Sequence, residues 1–273
     1  MVSPSARDLE RGLLAGVDRY QTAIEAYVAT YGRGVTRPPH VLVNESGSRD
    51  GEVAMLLRYA KEVGAGAIAV SSHGRSGLDR LVLGSFAEAL LERAPIPVLF
   101  LSHLPRKAGA ERIFFPTDFS ADSRATWRDF LRRAKATKAE VQLYHAVTCP
   151  IPPVGVGVFL PDSLVEEQEN WATKQAAQWV EEARENGVRA SGRVVTGGVG
   201  APSGEAVLAA ADEFKATTLV LNANSGVVGR FLLGSIAYPV FRASRFLTIV
   251  YGPKLVQGRR REGTRSRRAT AER

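Results

Sequence analysis

The feature that most constrains this chain of 273 residues is that it repeats itself. Arg80-Leu-Val-Leu-Gly84-Ser85 and Arg230-Phe-Leu-Leu-Gly234-Ser235 lie 150 positions apart. Each follows an apolar run and a small-residue loop: Ala67–Val70 with Ser71-Ser-His-Gly-Arg-Ser-Gly77, and Leu219–Leu221 with Asn222-Ala-Asn-Ser-Gly226. Each precedes a short helical pattern and a β-rich run, Pro97–Leu101 or Phe246–Tyr251. Upstream, Gly51-Glu52 and Gly204-Glu205 open helical segments after Val41–Val43 and Val194–Thr196. Landmarks kept in one order identify a tandem duplication, so the fold must accommodate the same supersecondary unit twice.

The second copy reads as alternating strands and helices. Expected strands are Arg112–Phe115, Val141–Val147, Arg189–Val195, Thr217–Leu221 and Phe246–Tyr251. Between them fall helices over Ser123–Lys135, about 163–186, Ser203–Phe214 and Ser235–Arg242. The long helix presents Leu164, Trp171, Ala172, Gln175, Trp179 and Ala183 on one face. Such alternation builds parallel βαβ units, hence an α/β fold of two doubly wound, Rossmann-like copies. The first copy is shorter: one helix, Asp8–Tyr31, precedes the Val41–Val43 strand. Lacking the first strand, helix and second strand, its remaining strands need other backbone partners. A remodelled sheet, or pairing with the second copy or another chain, is expected. The domains are read as 1–103, partial; 111–252, complete; and 253–273, a basic tail.

That tail decides what the net charge of +8 means. Residues 253–273 carry eight basic residues against Glu262 and Glu272, a net +6, so the other 252 positions are nearly neutral. Poor in apolar side chains, the tail is expected to be disordered, touching acidic partners weakly or serving only solubility. Nucleic acid is not an expected partner except through these arginines. No run approaches the roughly 18 apolar residues of a membrane span, and the start lacks a secretory core, so no membrane association and a cytoplasmic location are expected. Cys149 is the only cysteine, and His40, His73, His103 and His145 lie far apart, which removes cysteine-built metal sites and intrachain disulfides.

In a parallel α/β sheet, ligands sit beyond the carboxyl ends of the strands at the switch point of strand order. Both informative loops fall there. Gly74 and Gly77 bare backbone amides, and Gly84-Ser85 opens a helix whose N-terminus offers free N–H groups and a positive dipole end. A phosphate cradle and a set of tight turns are both consistent with those glycines. Asp118, at a strand end before a helix, reads equally as a ligand contact or as a cap for the Ser120–Arg124 amides.

Ser71-x-x-Gly74, nine residues, then Gly84-Ser85 and Ala94-Pro-x-Pro97-Val-Leu resemble the phosphate-binding signature of the universal stress protein family. Phe115-Pro-Thr-Asp-Phe-Ser120 is similar to that family's opening strand and turn. The resemblance covers about 8–252 and implies an α/β protein, usually dimeric through its last strand, with many members binding ATP. Carried over, it places Thr117, Asp118 and Val147 at adenosine, with Asn224, Ser225, Gly226, Gly234 and Ser235 at phosphate in the second copy. In the first, His73, Gly74, Arg75, Gly77, Gly84 and Ser85 form the phosphate side. Magnesium enters only with ATP. Yet Ser71 replaces the leading glycine, the first copy lacks its aspartate strand, and the second copy carries side chains at its glycine positions. Each copy keeps a different part of the pocket.

No GxxxxGK[ST] lysine, G-x-S-x-G serine or carboxylate pair stands near the loops. The expectation is therefore a non-enzymatic stress-response protein with weak or degenerate adenine nucleotide binding, acting through partners or conformation, as a homo-oligomer or a pseudo-dimer of its copies. The alternative is an ATP-hydrolysing or nucleotidyl-transferring enzyme, for which Asp79 and Asp118 are the metal candidates.

Overall fold

The structure is a computed structural model. It describes residues 18, 21–22, 25, 38, 40–44, 46–71, 84–101, 110–135, 138–149, 162–199, 204–225, 231–232, 240–241 and 246–259. The chain divides into two compact units, Met1–Val63 and Gly64–Arg273, so the division falls inside the first copy.

In the first unit, Asp18, Gln21, Thr22 and Glu25 are helical, within the expected first helix. Helix α1 (Arg49–Glu62) is capped by Ser48, whose side chain accepts from Gly51 N, and buries Val53 and Ala60. The turn that leaves it passes through Gly64 at φ +64°, in the left-handed region glycine tolerates. Val41–Val43, expected as a strand, is not one. Its counterpart in the second copy is a strand because a neighbour runs beside it, and no described strand pairs with 41–43.

The second unit holds a seven-stranded sheet. In chain order its strands are β1 (Ile68–Ser71), β2 (Val98–Leu101), β3 (Arg112–Pro116), β4 (Glu140–Cys149), β5 (Arg189–Val199), β6 (Thr218–Asn222) and, after a two-stranded ribbon of β7 (Asn224–Ser225) and β8 (Phe231–Leu232), β9 (Leu247–Tyr251). The sheet order is β1-β2-β9-β6-β3-β4-β5. The complete copy supplies five parallel strands that start in the middle, at β3, run outward through β4 to β5, then return to β6 and β9. The switch point lies between β3 and β6. The first copy supplies β1 and β2, mutually parallel.

The seam between the copies is antiparallel: Val98 faces Val250, Leu99 faces Ile249 and Phe100 faces Thr248. The final strands of both copies therefore pair inside one chain, and the expected partnership with the second copy is met. Among the described residues β1 has a neighbour on one side only, whereas its counterpart β6 is flanked by β3 and β9.

Helices α2 (Ser85–Arg93), α3 (Ala121–Ala134), α4 (Asp162–Glu185) and α5 (Gly204–Glu213) connect the strands. Trp127 of α3 is fully buried, meeting Phe115 edge-on at 5.0 Å and Trp179 of α4 at 5.8 Å. With Phe130, Leu131, Val141 and Leu143 these rings form the core. The face α4 buries is Ala172, Ala176, Trp179, Val180 and Ala183. Leu164 and Trp171, expected on that face, are 44% and 51% exposed. Small alanines allow α4 to lie close on β5, where Ala176 and Val180 approach Gly192.

The basic tail is also corrected in part. Residues 253–259 form a helix, α6, with Leu255 and Val256 buried in the core cluster. Burial of these two apolar residues at the start of the segment contributes to the ordering of its first turns. Residues 260–273 lie outside the described residues.

Gly252, between β9 and α6, marks a tight junction of the two copies: a Cβ there would sit 2.0 Å from the Leu91 carbonyl oxygen of α2. Gly252→Ala is expected to destabilise the protein by about 1–3 kcal/mol, as overpacking does. Thermal unfolding should register a Tm lowered by several degrees.

Candidate functional site

The carboxyl edge of the complete copy begins where β3 stops at Pro116. Thr117 N still donates to Tyr144 O at 2.9 Å, holding the turn to β4. Phe119 then takes φ +56°, a left-handed conformation that costs a bulky residue energy and persists here under packing from His145, Trp171 and Trp179. His145 Nδ1 lies 2.8 Å from Thr117 O; because a carbonyl only accepts, that nitrogen carries the proton.

Asp118 Oδ1 accepts from Ser120 N at 2.9 Å and from Ser123 Oγ at 2.5 Å, while Ser120 Oγ accepts from Ser123 N and caps α3. Burial alone would raise the Asp118 pKa, but the hydrogen bonds from Ser123 and Ser120 outweigh it and hold the carboxyl below the ordinary aspartate range. Asp118 thus braces the turn ahead of the helix, whose N-cap is Ser120. Helix α3 starts at Ala121 under this cap, two residues before the expected position.

Across the switch point, Thr126 Oγ1 of α3 donates to Asn222 Oδ1 of β6 at 2.7 Å. The Asn222 side-chain nitrogen is buried and makes no hydrogen bond. This pair escaped the sequence reading, where Leu221 or Asn222 registered only as standing in a glycine position. Its one sequence signal was a polar residue closing an apolar strand.

The remaining expected site residues separate. Val147 is buried on β4 opposite Thr196, just before a register shift. Asn224 and Ser225, expected in a phosphate loop, form β7 and pair antiparallel with Leu232 and Phe231, so their backbone groups serve a ribbon. That ribbon lies against α2 of the first copy. Gly84 is the N-cap of α2, in extended conformation, with open space where a Cβ would stand; Ser85 is exposed. His73, Gly74, Arg75, Gly77, Gly226, Gly234 and Ser235 lie outside the described residues, as does Asp79. Among the described residues no group of three or more His, Cys, Asp and Glu side chains converges as a metal site would require, and no helix is long and apolar enough to cross a membrane.

The model of the universal stress protein family matches residues 5–102 and again 109–250. The chain belongs to the universal stress protein family. Solved structures carry the same architecture. A protein of Pseudomonas aeruginosa UCBPP-PA14 assigned to this class is 16% identical, aligned over 97% of this chain and 95% of its own, with a TM-score of 0.61. A functionally unknown protein of Pseudomonas aeruginosa PAO1 is 17% identical over 97% and 94%, at 0.58. A universal stress protein of Archaeoglobus fulgidus DSM 4304 is 21% identical over 74% of this chain, which spans 65% of the length of that one, at 0.51. No curated relative matches the chain at a significant level.

Because the Asp118 pKa is depressed in the fold, its carboxylate contributes stability that is fully present above the unfolded value near 4 and is lost as pH falls through the folded value. Asp118→Asn is therefore expected to lower Tm at pH 7. The difference from the parent protein should close in melts taken at progressively lower pH below about 4.

Proposed function

We propose that this universal stress protein is a tandem scaffold that holds an adenine nucleotide weakly, without turning it over, and acts through conformation and partners in the cytoplasm. The observation that carries the reading is the boundary between β3 and β6: the Asp118 turn stands on one side and Asn222 on the other, with the buried Asn222 nitrogen lacking an acceptor. A buried amide donor without a partner costs free energy that a base nitrogen or carbonyl would recover. The affinity is weak for two physical reasons. The Asp118 carboxylate already accepts two hydrogen bonds within its own turn. The ribbon takes the backbone of Asn224 and Ser225 away from phosphate.

The phosphate side is better preserved at Gly84 and Ser85, on the exposed N-terminus of α2. Magnesium would enter with the phosphates rather than through a protein ligand set. The pairing of β2 with β9 supplies within one chain the contact a dimer of single copies would make, so the functional unit is a pseudo-dimer.

Thermal melts with about 5 mM MgATP test the reading: a ligand present at a few times its Kd adds under about 1 kcal/mol, and Tm should rise by about 1–3 °C. Asn222→Asp keeps the acceptor that Thr126 uses, removes the donor and should erase the shift. Gly84→Val fills open space but caps α2 poorly, so its response is read against its own unliganded Tm and reports whether the first copy contributes. A flat response to MgATP would refute nucleotide binding and leave only the scaffold.

A further inference from the structure

At the end of the sheet opposite β5 stands a strand whose outer backbone has no partner. Ile68 N donates to Pro97 O at 3.0 Å, and Ile68 and Val70 turn their backbone groups toward β2. In a parallel ladder alternate residues point to opposite sides, so Ala67, Ala69 and Ser71 turn theirs outward. Among the described residues no strand or turn takes up those groups, and Ala67 and Ala69 are exposed. The counterpart of β1 in the complete copy shows what such a strand is shaped for. There β6 has β3 on the corresponding side, with Ile113 opposite Thr218 and Phe114 opposite Leu219. Leu219, 150 positions after Ala69, is fully buried.

The two edges of the sheet are not alike. Strand β5 carries Arg189 and Arg193 and shifts register near its end, the charge and irregularity by which edge strands resist pairing. Strand β1 has neither. Ala67-Ile-Ala-Val-Ser71 holds no charge and no proline, and its exposed positions 67 and 69 carry only methyl groups. Its entry is fixed as well, because Gly66 O accepts from Arg133 Nη1 at 2.9 Å. On the face that Ala69 shares with Leu99, its partner in β2, Leu99 is half-buried and Leu101 is 45% exposed. Unpaired backbone and an uncovered apolar strip thus meet at one edge.

We propose that β1 is a dimer interface, at which two copies of the chain join β1 to β1, antiparallel, about a two-fold axis at Ala69. The outward residues are spaced symmetrically about that point. Ala69 therefore meets Ala69 and Ala67 meets Ser71, each pair exchanging two N–H···O bonds. This self-complementarity selects a second copy as the occupant, since no like charges meet and the contact closes on itself. Pairing of β1 with β5 of another copy would instead leave one free edge of each kind and grow into an open filament. The chain already joins its own terminal strands in antiparallel fashion at β2 and β9, and the dimer continues the same sheet across a second seam. The association is independent of the nucleotide reading.

The test is sedimentation velocity of the full chain from about 1 to 100 μM, where the mass should rise from that of one chain to that of two. Ala69→Lys and Ala69→Glu each set like charges face to face at the axis and should raise the dissociation constant about fivefold. An equimolar mixture of the two variants should restore the parent's value. Ala69→Pro removes an N–H that faces outward, a change an edge strand tolerates, and should raise the constant about 30-fold through the two hydrogen bonds lost at the axis. Thr196→Lys, at an exposed position of the β5 edge, should leave dimerisation unchanged. Far-UV circular dichroism matching the parent verifies that each variant is folded, and recovery on mixing requires it. A chain still monomeric at about 100 μM, oligomers growing beyond two, Ala69 variants that dimerise like the parent, or no recovery on mixing would overturn the proposal.

Discussion

The second unit depends on one set of backbone hydrogen bonds, those that join β2 to β9. Each copy ends in an apolar strand, and a strand left at an edge exposes unpaired N–H and C=O groups. Here the two terminal strands satisfy one another, and a first copy with two strands among the described residues is carried on a complete one. Phe100 of β2 meets the ring of Phe241 edge-on at 4.7 Å, so side chains reinforce the backbone seam. Because both partners belong to one chain, the association does not weaken on dilution, as it would between separate subunits.

A second set of contacts crosses the same seam. Arg133 of α3 donates to Gly66 just ahead of β1, and Gly252 lies tight against Leu91 at the end of α2. The Tyr251 hydroxyl, buried at the end of β9, donates to Asp129. Burial first, and the nearby Asp129 charge second, push its pKa well above the ordinary tyrosine value, against the smaller pull of Arg133 and Arg259. Asp129 itself is pulled the other way: burial would raise its pKa, but the hydrogen bond and charge of Arg133, with Arg259 and Arg132, hold it low. Strand β9, helix α3 and helix α6 thus share one ionised carboxylate, surrounded by donors sufficient to keep it charged in a buried place.

Much of this was legible in the sequence, because the dominant signals were local or repetitive. Alternating apolar runs and helical spacings located β3 to β6, β9 and α3 to α5 within a few residues, and the shortened first copy left pairing with the second as one of three expected outcomes. What escaped depended on contacts distant along the chain. Whether Val41–Val43 becomes a strand turns on the presence of a neighbour, which its own residues do not encode. The periodicity of α4 could not tell Trp179, wedged against Trp127, from Trp171, which faces outward. Leu255 and Val256 looked like strays in a polar tail until the core offered them a place. At the site, Asp118 and Thr117 stood where the strand end required. The Thr126–Asn222 bridge joins residues 96 positions apart and left no pattern to find.

The orientation of Trp171 has an optical consequence. Of the three tryptophans in the chain, Trp127 and Trp179 are sealed in the core, while Trp171 stands half in solvent with its edge against Phe119, one residue beyond the Asp118 turn. The molecule therefore carries a built-in fluorophore beside its carboxyl edge, set against two shielded ones. Rearrangement of that turn would alter the red-shifted, quencher-accessible part of the emission, while Trp127, packed against Phe115 and Phe130 rather than Phe119, supplies a blue-shifted reference.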